Sequence, residues 1–117
     1  MWKPVTRSES VSPNGTLACR HQGWRVLVVR TTAGLFALED KCPHQEQTMG
    51  GGLVHDGVIE CPWHSVAVEL ATGRITNTMG FLGMPPVRVF PVKEENGSVL
   101  VDLPDGPPPP PPPLADD

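Results

Sequence analysis

Two short clusters carry residue types suited to metal chemistry: Cys42-Pro43-His44 and Cys61-Pro62-Trp63-His64, separated by residues 45–60. Each offers one soft thiolate and one imidazole, so together they supply two sulfur and two nitrogen donors. A structural zinc ion takes such a set tetrahedrally, but paired ligands at zinc sites usually stand about two to five residues apart. Only Pro43 separates Cys42 from His44. Side chains so close on an extended loop diverge, which makes chelation of one ion awkward. Dividing each pair between two metal atoms removes the difficulty. A [2Fe–2S] cluster with one iron held by two cysteines and the other by two histidines suits this pattern, each loop giving its Cys to one iron and its His to the other.

The elements that must position these loops read as strands. Trp24 to Arg30 and Leu35 to Leu38 flank Thr31-Thr32-Ala33-Gly34, a hairpin with a four-residue connection. Val87 to Val92 and Ser98 to Val101 flank Glu94-Glu95-Asn96-Gly97, and Asn-Gly accepts the two positive φ values of a type I′ turn. Cys19 falls on a further strand, as a small buried residue. No segment sustains a helical apolar period, so the expectation is an all-β fold with little helix. Between the hairpins, about Asp40 to Pro86, lies a Gly- and Pro-rich stretch that holds both Cys-His pairs. It reads as a loop-built subdomain ordered by what it binds. Beyond Leu103 come Pro104-Asp105-Gly106 and seven prolines, Pro107 to Pro113. Proline lacks the donor N–H, so this stretch, 104–117, is expected to be a solvated polyproline II tail outside any sheet.

The chain of 117 residues is bounded at one domain. Its net charge of −4 and lack of a Lys/Arg cluster argue against nucleic acid as a partner. No run of about 18 apolar residues occurs, so no membrane span is expected. The N-terminal residues show no apolar targeting segment. Three cysteines, two of them beside histidines at ligand-like spacing, disfavour a disulfide framework and suit a reducing, cytoplasmic setting.

Cys42-Pro43-His44 and Cys61-Pro62-Trp63-His64 resemble the ligand motif of Rieske ferredoxins, and the similarity extends well beyond the ligands. Val28-Val29-Arg30, Leu35 to Asp40 leading into Cys42, Gly57-Val58-Ile59-Glu60 before Cys61, Ala71-Thr72-Gly73 and Pro85-Pro86 before the last hairpin are similar as well, covering about Trp2 to Leu103. The resemblance implies a β-sandwich base domain within residues 1–103 and a small loop-rich cluster-binding subdomain of about 40–86. It implies one [2Fe–2S] cluster per chain on Cys42, His44, Cys61 and His64, with imidazole edges open to solvent. Pro85-Pro86 matches the family's proline loop, which shields the cluster.

Respiratory members of the family join their ligand loops with a disulfide at the places held here by Gln47 and Trp63, so that bridge is impossible in this chain. Those members also place hydroxyl donors where Val66 and Val68 stand. Fewer hydrogen bonds to the sulfurs stabilise the reduced state less, which implies a potential at the low end of the range, about −150 mV to about 0. A terminal oxygenase needs a further iron on two His and a carboxylate, and only His21 and His55 remain. The implied role is therefore a monomeric electron carrier, not itself an enzyme, fed by a flavoprotein reductase and serving a terminal oxygenase. Two alternatives stand beside it: the small subunit of an assimilatory nitrite reductase, and a zinc-stabilised interaction module.

Departures from the family pattern fall after His64, where Ser65 replaces a common Gly and Val68 a common aromatic residue. Trp63 is expected to pack over the cluster loop. Phe81, Leu82 and Met84, with Pro85 and Pro86, either cover the cluster or form a docking patch for the partner protein. Gly50-Gly51-Gly52 lacks the Lys-Ser/Thr of a phosphate loop and is expected to allow a tight backbone path near the cluster. His21 and His55 read as plain surface or hydrogen-bonded residues, not as sites.

Overall fold

The run Val26-Leu27-Val28-Val29 has no polar face to give to solvent, so a strand made from it needs cover on both sides. The fold supplies that cover. The structure is a computed structural model that describes residues 1–43 and 47–109. Its elements are β1 (Trp2–Arg7), a 3-10 turn at Ser8–Ser10, β2 (Thr16–His21), β3 (Trp24–Thr31), β4 (Gly34–Glu39), β5 (Leu53–His55), β6 (Val58–Glu60), β7 (Ala67–Glu69), β8 (Ile75–Asn77), β9 (Val89–Phe90), β10 (Val92–Glu95) and β11 (Ser98–Asp102). All strand pairs are antiparallel, in three sheets ordered β1-β11-β10, β2-β3-β4-β9 and β5-β6-β7-β8.

The sheet containing β3 is the middle layer. Side chains alternate across a strand, so Trp24, Val26 and Val28 pack with Val99, Val101 and Leu103 on one face. Leu27 and Val29 pack on the other with Leu38, Met49, Ile59, Val66, Val68 and Leu70. That second core also contains Cys42 and Cys61. Each fully buried Val or Leu here contributes about 1.5–3 kcal/mol, so the floor beneath the ligand loops is among the best-packed parts of the chain.

The all-β expectation holds: among the described residues the one helical element is the 3-10 turn. Asn96 and Gly97 take φ of +53° and +79°, as a type I′ turn requires. Three details differ from the sequence reading. The β3–β4 connection is two residues long, because Thr31 and Gly34 themselves pair. The strand expected over Val87 to Val92 is split at Pro91. Proline has no N–H for a ladder, and at this break β9 pairs with β4 while β10 pairs with β11. The stretch expected to be loop-built holds four short strands, β5 to β8, forming the third sheet. Among the described residues no helix is long and apolar enough to cross a membrane.

Candidate metal centre

The first ligand loop leaves the end of β4 and returns on a short leash. Asp40 N–H donates to Arg25 O at 2.9 Å, and Cys42 N–H donates to Gln47 O at 2.8 Å. Asp40 is the one buried charged residue among those described, 4% exposed. Its carboxylate accepts from the Thr48 hydroxyl at 2.6 Å and the Met49 N–H at 2.7 Å. A carboxylate buried this way is tolerated because its oxygens are satisfied, and it ties both limbs of the loop together. Beyond it, Gly52 lies so close to Glu60 O and Met49 O that a Cβ would clash, which supports the tight path expected for the glycine triplet.

The second loop is a turn closed on itself. Cys61 N–H donates to Val66 O and Ser65 N–H to Cys61 O, each at 2.9 Å. Ser65 sits at φ +57°, the left-handed region that favours glycine, so the family's common Gly at this place has a backbone reason. Trp63 is 56% exposed, and its indole Nε1–H donates to Thr48 O at 3.1 Å. The two loops are thus joined by the Trp63 indole.

Cys42 and Cys61 are 3% and 1% exposed and neither is disulfide-bonded. Burial pushes the Cys61 thiol up to about 11, helped by its hydrogen bond with Cys42, while backbone N–H groups of Trp63 and His64 aimed at its sulfur pull it down. A thiol pair held side by side in an apolar wall, with N–H groups directed at one sulfur, has the chemistry of a thiolate donor set for one metal atom. His64 is half-buried, with Nδ1 turned into the protein. Of the four sequence-assigned ligands, the structure brings Cys42 and Cys61 together; among the described residues no three His, Cys, Asp or Glu side chains are gathered as around one metal ion, and His44 lies outside the described residues.

The third loop follows β8. The Phe81 ring meets His64 edge-on, 5.6 Å between centroids. Phe81 and Met84 pack against the core that contains the cysteines, whereas Leu82 is 93% exposed. Within this segment Phe81 and Met84 thus face the core while Leu82 faces solvent. Pro85 and Pro86 are exposed and line a groove with Cys42, Pro43 and Arg88. Cys19 stands apart, half-buried, its thiol donating to Val26 O at 3.5 Å, with burial raising its pKa. His55 is engaged by Glu60 and, at 3.3 Å, by Asp56; these carboxylates hold its pKa above the ordinary value, Glu60 foremost. The sequence reading missed Asp40 and Thr48 as loop-holding residues. The available signal was an acid wedged between an apolar strand and a ligand cysteine.

Comparison with known proteins agrees with this geometry. The family model described as "Rieske [2Fe-2S] domain" matches residues 1–91. Human "Apoptosis-inducing factor 3" is 33% identical over 89 residues, 75% of this chain. The chain spans only 14% of that relative's length. The "Anthranilate 1,2-dioxygenase ferredoxin subunit" of Burkholderia cepacia is 34% identical over 83 residues, 67% of this chain and 69% of the relative. Among solved structures, a chain in the "Complex of reduced oxygenase and oxidized ferredoxin in carbazole 1,9a-dioxygenase" superposes with a TM-score of 0.74 at 28% identity, covering 86% of this chain and 91% of that one.

Proposed function

The chain belongs to the Rieske [2Fe–2S] domain family, and we propose that its part is to carry single electrons from a flavoprotein reductase to a terminal oxygenase. When held by Cys42, His44, Cys61 and His64, a [2Fe–2S] cluster accepts and releases one electron at a time. The chain's own residues supply the surroundings. Leu27, Val29, Leu38 and Met49 wall the two cysteines off from water, which makes that side of the site a holder and not an exit. His64 reaches the surface on one side and is braced by Phe81 on the other, so its ring is the part of the site a partner can approach. Exposed Leu82 and Trp63 flank that approach in sequence and suit a protein partner's apolar surface.

The observation that carries this reading is the asymmetry of the site: both thiols are fully buried while the imidazole of His64 is half-exposed. The ferredoxin subunit and the oxygenase–ferredoxin complex among its similar proteins support the oxygenase as partner. Residues 1–103 form the working unit, with the cluster-binding part at about 40–86. Free Cys19, Cys42 and Cys61 support a reducing, cytoplasmic setting. Anaerobic coulometry of the cluster-loaded chain, followed by stopped-flow transfer to a soluble one-electron acceptor, tests the proposal. One reversible electron per chain is expected; a chain that binds its cluster yet takes up no electron, or takes it up irreversibly, overturns it.

A further inference from the structure

Trp24 is 2% exposed and held from two sides: the Phe90 ring meets it at 5.7 Å and 87°, and the Arg88 guanidinium lies 5.4 Å from its ring centroid. A buried indole N–H needs an acceptor, and no strand supplies one. Its Nε1–H donates instead to Gly106 O at 2.9 Å, across 82 positions of sequence. Gly106 reaches that place by turning at φ +81°. The chain then runs past the β2–β3 turn, where a Cβ on Gly23 would stand 3.2 Å from Pro108 Cδ. Pro108 is half-buried there, while Pro107 and Pro109 are exposed. Carbonyls in a polyproline stretch have no internal partner and are free to accept. Here the acceptor is the Gly106 carbonyl immediately before the run, and an indole N–H donor beside a surface flat enough for a pyrrolidine ring is one element of the grooves that read proline-rich segments. Gly23 provides the flat surface because it has no side chain, and its φ of +87° suits glycine in any case.

We propose that the N–H edge of Trp24 and the bare Cα of Gly23 form a surface that binds proline-rich chain, and that its occupant is this chain's own segment Gly106 to Pro109. Gly106 to Pro109 are then held in cis against the body, and a partner that reads this part of the chain must first displace them. The inference is independent of the electron-carrier reading, since none of these residues belongs to the ligand loops.

The test uses the full, cluster-loaded, isotope-labelled chain. NMR is expected to show cross-relaxation between Trp24 Hε1 and the Gly106 and Pro108 protons within one molecule. Replacing Pro107, Pro108 and Pro109 by Ser in the full chain should speed solvent exchange of the Trp24 indole N–H by about tenfold, the effect of one lost hydrogen bond, while Trp2 and Trp63 stay unchanged. A synthetic peptide of residues 104–113 should restore protection in that variant and leave the wild type unaffected. Three results overturn the proposal: no cross-relaxation in the wild-type chain, exchange unchanged in the variant, or cross-relaxation found only between differently labelled copies. The wild-type measurement decides even if the variant does not fold.

Discussion

Replacing Asp40 by Ala should loosen the first ligand loop more than any conservative change at the surface. The substitution removes the acceptor for the Thr48 hydroxyl at 2.6 Å and for the buried Met49 N–H at 2.7 Å. Hydrogen bonds to a charged group contribute about 1.5–3 kcal/mol each, and a buried N–H left without an acceptor carries a desolvation cost of about 1–3 kcal/mol. Two bonds lost together, allowing for relaxation, give about 3–5 kcal/mol. Asp40→Asn is the control. Its amide oxygen still accepts from Met49 N–H, but its NH2 faces a Thr48 hydroxyl that already accepts from Gly50 N–H at 2.9 Å. That rearrangement costs about 1 kcal/mol. The assay is the rate at which the cluster's visible absorption bleaches in air at fixed temperature. With about 1.4 kcal/mol per tenfold, the Ala variant should bleach about a hundredfold faster or more, and the Asn variant less than about tenfold faster. Bleaching of the Ala variant at the wild-type rate, or identical rates for the two variants, would refute the reasoning that Asp40 holds the loop through those two bonds.

Other outcomes follow from the same geometry. Ser65→Gly relieves a left-handed φ of +57° and should raise stability by about 0.5–1 kcal/mol, read as a later thermal midpoint; an earlier midpoint would show that the Ser65 side chain matters more than its backbone. Glu94 is held below the ordinary carboxylate pKa by the Arg30 guanidinium, whose two nitrogens reach its carboxylate. A depressed carboxylate contributes stability that is present above its unfolded value and lost as pH falls through the folded one. Unfolding midpoints should therefore fall on the acid side of the ordinary carboxylate range, and Glu94→Gln should flatten that decline. His64→Cys replaces a neutral imidazole by a thiolate, so the cluster should persist with its potential moved from the Rieske range toward the about −400 mV of all-cysteine ferredoxins; an unchanged potential would remove His64 from the ligand set.

The family was legible in the sequence because metal coordination restricts residue type and spacing at once. The Asn96-Gly97 turn was legible for a similar reason, since few dipeptides accept two positive φ values. Strands β5 to β8 were not, being three residues each, too short for alternation to emerge from a Gly-rich background. Pro91 was readable as an interruption, but which sheet each half would join depends on distant partners. Asp40 looked like an ordinary residue at a strand end; its burial follows from Thr48 and Met49 folding back over it, a tertiary fact. The seating of Gly106 on Trp24 is of the same kind, since nothing local in either segment points to the other.

An EPR spectrum of the dithionite-reduced chain, with iron and acid-labile sulfide assays on the same sample, tests the central claim most directly. Two irons and two sulfides per chain, with a rhombic signal of lower average g than an all-cysteine cluster gives, is the result expected for Cys42 and Cys61 on one iron and His44 and His64 on the other. Zinc without sulfide, and no signal from protein purified without air, would contradict it.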